Sequence, residues 1–161
     1  MVIGDPFKFA IIIEVIKAWN PGDYKGFANG VLFFCVDGEI FPNFVVNATL
    51  GYELHNENFI DKLANPAVNA ELYHMEKEKS FSEMYSITYP HYSSSAENDH
   101  RYNITPQEFS DKNCLVFAVS NGEQVRIMAS GSTEISEVFL PINELNDIVS
   151  ELKIFRQTTF D

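Results

Sequence analysis

Two apolar runs in the second half of the chain flank an Asn-Gly pair, and this pattern constrains the fold more than any other local feature. The stretch is CLVFAVSNGEQVRIMAS, from Cys114 to Ser130, with Asn121-Gly122 at its centre. An Asn-Gly pair readily takes the positive φ angles of a type I′ turn, so we predict a β-hairpin in which Ala118 lies opposite Val125. Four side chains should then share one inward face. These four are Val116, Ala118, Val125 and Ile127.

The first half of the chain predicts further strands and a second hairpin. Phe7–Trp19 is rich in Ile, Val and Phe, which predicts one long strand. Asp37-Gly38 predicts another type I′ turn, which would pair Val31–Val36 with Glu39–Phe44. Pro42 donates no ladder hydrogen bond, so the second of these strands should lie at an edge or break there.

Two helices are predicted. The first spans Asn65–Lys79, because Asn65 can cap it and Pro66 suits its first turn. The second starts at Pro141, and its apolar residues fall on a single stripe at helical spacing. That stripe consists of Ile142, Leu145, Ile148, Val149, Leu152 and Phe155.

The remaining segments complete the predicted fold. Asn47–Asn56 is a weaker candidate for a strand, and Ser80–Asn113 is expected to be a polar loop with one short strand at Glu83–Tyr89. The order of strands, helix, strands and helix predicts an α+β fold with one largely antiparallel sheet of about five to seven strands and about two helices. A length of 161 residues suits a single domain over residues 1–161.

The charge balance restricts the class of partner. Eleven basic against 23 acidic side chains give a net charge of -12. Nucleic acids are disfavoured as partners because phosphate binding needs clustered Lys and Arg, and anionic membrane surfaces are disfavoured for the same reason. A basic protein is the partner that such a field would attract.

The cysteines and the start of the chain favour a cytoplasmic protein. Cys35 and Cys114 each lie in an apolar run of strand character, which predicts two buried, reduced thiols. The first residues, MVIGDPFKFAIIIEVIK, lack the pattern of a signal peptide because Asp5 and Glu14 interrupt the apolar run. No segment approaches the roughly 20 apolar residues of a membrane span.

The motifs of common enzyme classes are absent from the sequence. It contains no Gly-rich phosphate loop, no G-x-S-x-G, no H-E-x-x-H and no C-x-x-C. His91 and His100 share the polar segment with Glu97 and Asp99, but their spacing fits no known ligand pattern, which favours solvated histidines over a metal site. We therefore predict no catalytic, cofactor-binding or metal-binding residues.

A base-free acidic stretch is the remaining candidate for a functional surface. EISEVFLPINELNDIVSEL, from Glu134 to Leu152, carries five acids and no Lys, Arg or His. Like charges at i,i+3 and i,i+4 mildly destabilise a helix, so the stretch is either a solvated face that aids solubility or a patch for a basic partner. The candidate partner-binding residues are Glu134, Glu137, Glu144, Asp147 and Glu151.

Three stretches carry a resemblance to a known family. IGDPFKFAIIIEVIKAWN near the start, GFANGVLFFCVDGEIFP after it and ISEVFLPINELNDIV near the end resemble the bacterial immunity proteins of polymorphic toxin systems, specifically immunity protein family forty-two. The resemblance is strongest over Gly4–Ile11 and does not extend to Ser80–Asn113.

The resemblance implies a cytoplasmic, non-enzymatic protein that binds and neutralises a cognate secreted toxin by stoichiometric inhibition, without a cofactor. Many toxin domains carry cationic clefts, so the implied partner is a basic toxin domain. Two other classes remain open on the residues alone: a non-catalytic adaptor or structural interaction domain, and a small ligand-binding protein or enzyme.

Overall fold

The computed structural model describes residues 1–22, 27–55, 59–131 and 134–160. Within them the chain forms two antiparallel β-sheets and six α-helices. The predicted α+β class with antiparallel strands is therefore confirmed, whereas the predicted single sheet and pair of helices are wrong. No helix in the described ranges is long and apolar enough to span a bilayer.

The N-terminal sheet has five strands and is centred on β3. Strands β1, β2, β3 and β4 lie side by side in that order, and β5 pairs with the end of β3 that β4 leaves free. The strands are β1 (Val2–Gly4), β2 (Phe9–Val15), β3 (Asn29–Val36), β4 (Glu39–Phe41) and β5 (Ala48–Thr49).

The predicted turn at Asp37-Gly38 is confirmed. Asp37 and Gly38 have φ angles of 53° and 82°, and Val36 pairs with Glu39 across the turn. Strand β4 ends at Phe41, directly before Pro42, as the missing N–H of proline requires. The strand predicted over Phe7–Trp19 is shorter than expected, because a 3₁₀ turn at Lys17–Trp19 follows β2.

The C-terminal sheet is a meander of β6 (Leu115–Ser120), β7 (Gln124–Ser130) and β8 (Ile135–Pro141). The predicted hairpin forms, but its register is wrong, since Ala118 pairs with Ile127 and not with Val125. The side-chain amide oxygen of Asn121 accepts from the N–H groups of Glu123 and Gln124, which moves the turn one residue along the chain.

That register shift leaves the predicted inward face correct. Moving the turn by one residue changes each cross-strand partner by two positions, and side chains two apart share a face. All four residues predicted to point inward are buried in the main core.

Six helices pack against these sheets. They are α1 (Leu50–His55), α2 (Phe59–Ala64), α3 (Ala70–His74), α4 (Lys77–Thr88), α5 (Gln107–Ser110) and α6 (Ile142–Phe160). Of the strand predicted over Asn47–Asn56, Ala48–Thr49 forms β5, whereas Leu50–His55 is helical because Leu50 and Leu54, four residues apart, both reach the core. Asn56 lies outside the described residues.

The helix predicted over Asn65–Lys79 is wrong in its bounds. Ala67 and Asn69 exchange backbone hydrogen bonds with Ser120, which holds the chain extended there. The helical cap is Asn69 instead of Asn65, since the Asn69 side chain accepts from the N–H of Leu72.

The strand predicted at Glu83–Tyr89 within the polar segment is also wrong. Most of this stretch belongs to α4, which Glu76 caps by accepting from the N–H of Lys79. Ser80, Met84 and Thr88 are fully buried at four-residue spacing, which is the spacing of one helix face. The predicted loop over Ser80–Asn113 thus contains most of α4 and all of α5.

Two hydrophobic clusters hold these elements together. The main cluster lies between the inner faces of both sheets and helices α1, α2 and α6. The second cluster covers the outer face of the C-terminal sheet, where α3 and α4 pack on Phe117, Val119 and Met128. The C-terminal sheet is consequently covered on both faces.

Candidate functional site

Helix α6 separates an apolar stripe from an acidic face, as the sequence predicts. Leu145, Ile148, Val149 and Leu152 are buried against the main core. Asp147 and Glu151 lie on the solvent side, one helical turn apart. This pair is the part of the predicted acidic patch that is both exposed and contiguous.

Glu144 is the third acid of α6, and a basic side chain from another element partly neutralises it. Lys8, on the turn before β2, places its Nζ 3.2 Å from Oε1 of Glu144. The two side chains are half-exposed, so the pair contributes little to stability. It does reduce the negative charge at the start of the α6 acidic face, which we define as Glu144, Asp147 and Glu151.

Glu137 lies elsewhere and is paired with a buried arginine. Its Oε2 is 2.7 Å from Nε and 2.6 Å from Nη2 of Arg126. Arg126 is 3% exposed, and its Nη1 also donates to the carbonyl oxygens of Tyr73 and Met75 at 3.1 and 2.7 Å. Those carbonyls belong to the end of α3, where backbone acceptors lack helical partners.

This arrangement gives Glu137 a structural role. The guanidinium satisfies the end of α3, stacks over the ring of Phe139 at 5.3 Å, and needs a counter-charge because it is buried. Glu137 supplies that charge, so its carboxylate is already compensated. A role for Glu137 in partner binding stays a prediction.

Glu134 lies apart from the other four acids. It is exposed at the start of β8 and lines a shallow surface pocket with Lys77 and Glu78 of α4. Strand β8 separates it from α6, which begins at Ile142. The five predicted residues therefore fall into three places, and only the acids of α6 form a continuous surface.

A polar cavity that sequence reasoning missed lies between α1, α2 and α5. Its volume is about 280 Å³, and its lining includes Glu53, Lys62 and His100. Glu53 is 3% exposed, and its carboxylate accepts from the N–H groups of Gln107 and Glu108 at 3.2 and 3.1 Å. No local sequence pattern predicts this contact, because 54 residues separate Glu53 from Gln107.

Burial shifts the ionisation of both charged groups in the cavity. It raises the pKa of the Glu53 carboxyl above its ordinary value, although the two N–H donors act in the opposite direction. Burial also lowers the pKa of the Lys62 ammonium, which donates to the carbonyl oxygen of Asn103 at 3.0 Å. The hydrogen bonds of Glu53 join α1 to α5, and that of Lys62 joins α2 to the segment before α5, so both charged groups have a structural role.

The cysteines and histidines form no reactive or metal-binding group among the described residues. Cys35 and Cys114 are buried and unpaired, as predicted, and burial raises the pKa of the Cys114 thiol to about 12. His91 bonds to Ser93 in an exposed turn. In the part of the chain that the structure describes, no three His, Cys, Asp or Glu side chains are grouped to hold a metal ion.

Comparison with known proteins adds two matches. The family model described as Immunity protein 42 matches residues 1–155. The crystal structure of CdiI from Burkholderia dolosa AUO158 is similar to the chain with a TM-score of 0.80 and 28% sequence identity, over 96% of this chain and 99% of that one. No curated protein sequence matches the chain.

Proposed function

Because the chain belongs to the immunity protein 42 family, we propose that it neutralises its cognate toxin in the cytoplasm by forming a stoichiometric complex with it. Membership of that family makes the chain an immunity protein, and the family match over residues 1–155 is the observation that carries the proposal. The protein would act by binding and not by catalysis, which fits the structural contacts made by the buried charged groups Glu53 and Arg126.

The partner would be a basic toxin domain. A net charge of -12 creates a field that speeds the encounter with a positive surface. The same field repels nucleic acids, so the partner is a protein.

Charge complementarity would act in part through the α6 acidic face. Asp147 and Glu151 are exposed, and the structure shows no ion pair for either among the described residues. They can face Lys or Arg of the toxin without first breaking an internal contact. Glu144 would join them once the partner competes with Lys8, whose side chain is half-exposed.

The experiment is co-expression with the gene immediately upstream, tested as the candidate toxin, and scored for growth and for co-purification. We expect growth rescue together with a stable one-to-one complex. Toxicity without rescue, or rescue without a complex, would refute stoichiometric neutralisation.

The charge contribution is tested separately with Asp147→Lys and Glu151→Lys combined. At low salt the variant should associate with the toxin about tenfold more slowly, and the difference should shrink at high salt. Glu83→Lys with Glu97→Lys is the matched control, because both residues are exposed and the change in net charge is the same. Equal slowing of both variants would assign the effect to overall charge and not to α6.

A further inference from the structure

The outer face of the N-terminal sheet is apolar, and part of it is exposed to solvent. Ile12 of β2 pairs with Val2 on one side and with Phe33 on the other, which places three apolar side chains in one row across the sheet. Val2 is 51% exposed, and Ile12 and Phe33 belong to neither hydrophobic cluster of the described chain. The next row along the sheet contains Ile40 of β4, which is 46% exposed.

A groove crosses this face beside β4. Its volume is about 530 Å³; Ile12 and Phe33 line it together with Ile40, Pro42, Phe44 and Val45. Phe44 is 47% and Val45 68% exposed. Grooves lined by exposed apolar side chains are among the features of protein-binding sites.

The charges around the groove indicate what kind of partner can bind there. Glu39 is the charged residue among those that line it, and Glu14 lies on the same face two residues along β2 from Ile12. The described lining contains no Lys, Arg or His. An apolar centre with an acidic rim complements a partner that presents an apolar side chain between basic residues.

A second copy of the chain fits the same surface poorly. Each copy carries a net charge of -12 and would bring Glu14 and Glu39 against identical carboxylates. Small molecules are also disfavoured, because their binding sites bring several polar groups together in an apolar pocket. Among the described residues that line this groove, Glu39 and Asn43 alone have polar side chains.

We propose that this groove is the docking site for an apolar side chain that projects from a basic face of the cognate toxin. The proposal rests on the proposed function and adds the place and chemistry of the contact. The groove supplies the desolvated centre of the interface, whereas the α6 acidic face contributes mainly to the rate of encounter.

The test compares Val45→Asp with Val68→Asp. The two valines are matched, being 68% and 67% exposed, but Val68 lies before α3, outside the groove. Each variant adds one negative charge, so general attraction to a basic toxin is preserved in both. Binding is measured by calorimetry with the upstream-encoded toxin domain, in a form selected for loss of toxicity, and folding is checked by thermal melting.

We expect Val45→Asp to weaken the complex about tenfold or more and Val68→Asp to leave it unchanged, with both variants melting like the parent chain. Phe44→Ala serves as a second groove variant without any added charge and should also weaken binding. Parent-like affinity of both groove variants, or equal weakening by Val68→Asp, overturns the groove while toxin binding stands.

Two other outcomes also overturn the proposal and can be told apart. If the parent chain neither binds nor protects against this toxin, the proposed function fails and the groove fails with it. If the parent chain is a dimer that Val45→Asp converts to a monomer, a second copy occupies the groove.

Discussion

Both sheets carry apolar side chains on their outer faces, but the surroundings of these side chains differ. In the C-terminal sheet, Phe117, Val119 and Met128 point away from the main core and are buried beneath α3 and α4. In the N-terminal sheet, Ile12 and Phe33 occupy the corresponding side and stay partly exposed. Strands that are apolar on both faces normally indicate a sheet covered on both faces. The comparison suggests that the N-terminal sheet obtains its second cover from a partner.

The sharpest test of this comparison is a pair of phenylalanine truncations. Phe117→Ala should lower the free energy of unfolding by about 3–5 kcal/mol, because the ring is fully buried and packs edge-on against Phe81 at 5.0 Å. Phe33→Ala should cost no more than about 1.5 kcal/mol, since its ring is partly exposed and belongs to neither hydrophobic cluster. Urea unfolding measures both, and equal losses would show that the two outer faces are equally packed.

The buried ion pair gives the next largest effect. Arg126→Met should lower the free energy of unfolding by about 3 kcal/mol, because the carbonyl groups at the end of α3 lose their donor and Glu137 loses its partner. Glu137→Gln should also destabilise the fold, by leaving a buried guanidinium without its counter-charge. If Glu137→Gln left the stability unchanged, Glu137 would not be needed by the fold and would be available to bind a partner.

The burial of Glu53 predicts that the stability of the fold depends on pH. The pKa of Glu53 is raised in the folded chain above its ordinary value of 4.5, so the folded state favours the protonated carboxyl. Its contribution to stability is fully present below pH 4.5 and is lost as the pH rises through the folded pKa. The stability of the parent chain relative to Glu53→Gln should therefore fall from acid to neutral pH, and unfolding curves at several pH values would check this sign.

The smallest effect concerns the exposed contact between the N-terminal sheet and α6. Lys8→Ala should change the free energy of unfolding by less than about 0.5 kcal/mol, because the side chains of Lys8 and Glu144 are 53% and 34% exposed. Added salt should reduce even this difference. A larger, salt-resistant loss in chemical denaturation would mean that Lys8 holds α6 against the sheet.

Sequence patterns predicted those elements that depend only on residues close together in the chain. Asp37-Gly38 specified its turn because both residues readily take positive φ angles. Helix α4 was missed because two of its buried positions, Ser80 and Thr88, are polar and hide the helical spacing. The hydroxyl of Ser80 donates to the carbonyl oxygen of Leu72 at 2.7 Å, a contact that exists only after α3 and α4 have packed together.

For the candidate surface, too, features within one element could be predicted and contacts between distant segments could not. The apolar stripe and acidic face of α6 follow from spacing within one helix and were predicted. The pairing of Lys8 with Glu144 spans 136 residues, and that of Arg126 with Glu137 depends on the register of two strands. Sequence placed Phe44 inside a regular strand, but β4 ends at Phe41, so the wall of the groove was not foreseen.

The burial of both thiols makes the folded chain suitable for site-specific labelling. The chain has two cysteines, and both Cys35 and Cys114 are buried with raised pKa values, so few thiolates are available to react at neutral pH. A Val45→Cys substitution would therefore place a single accessible thiol at the groove without removal of the native ones. A dye attached there would report contact with the toxin, and modification of the two native thiols would time global unfolding.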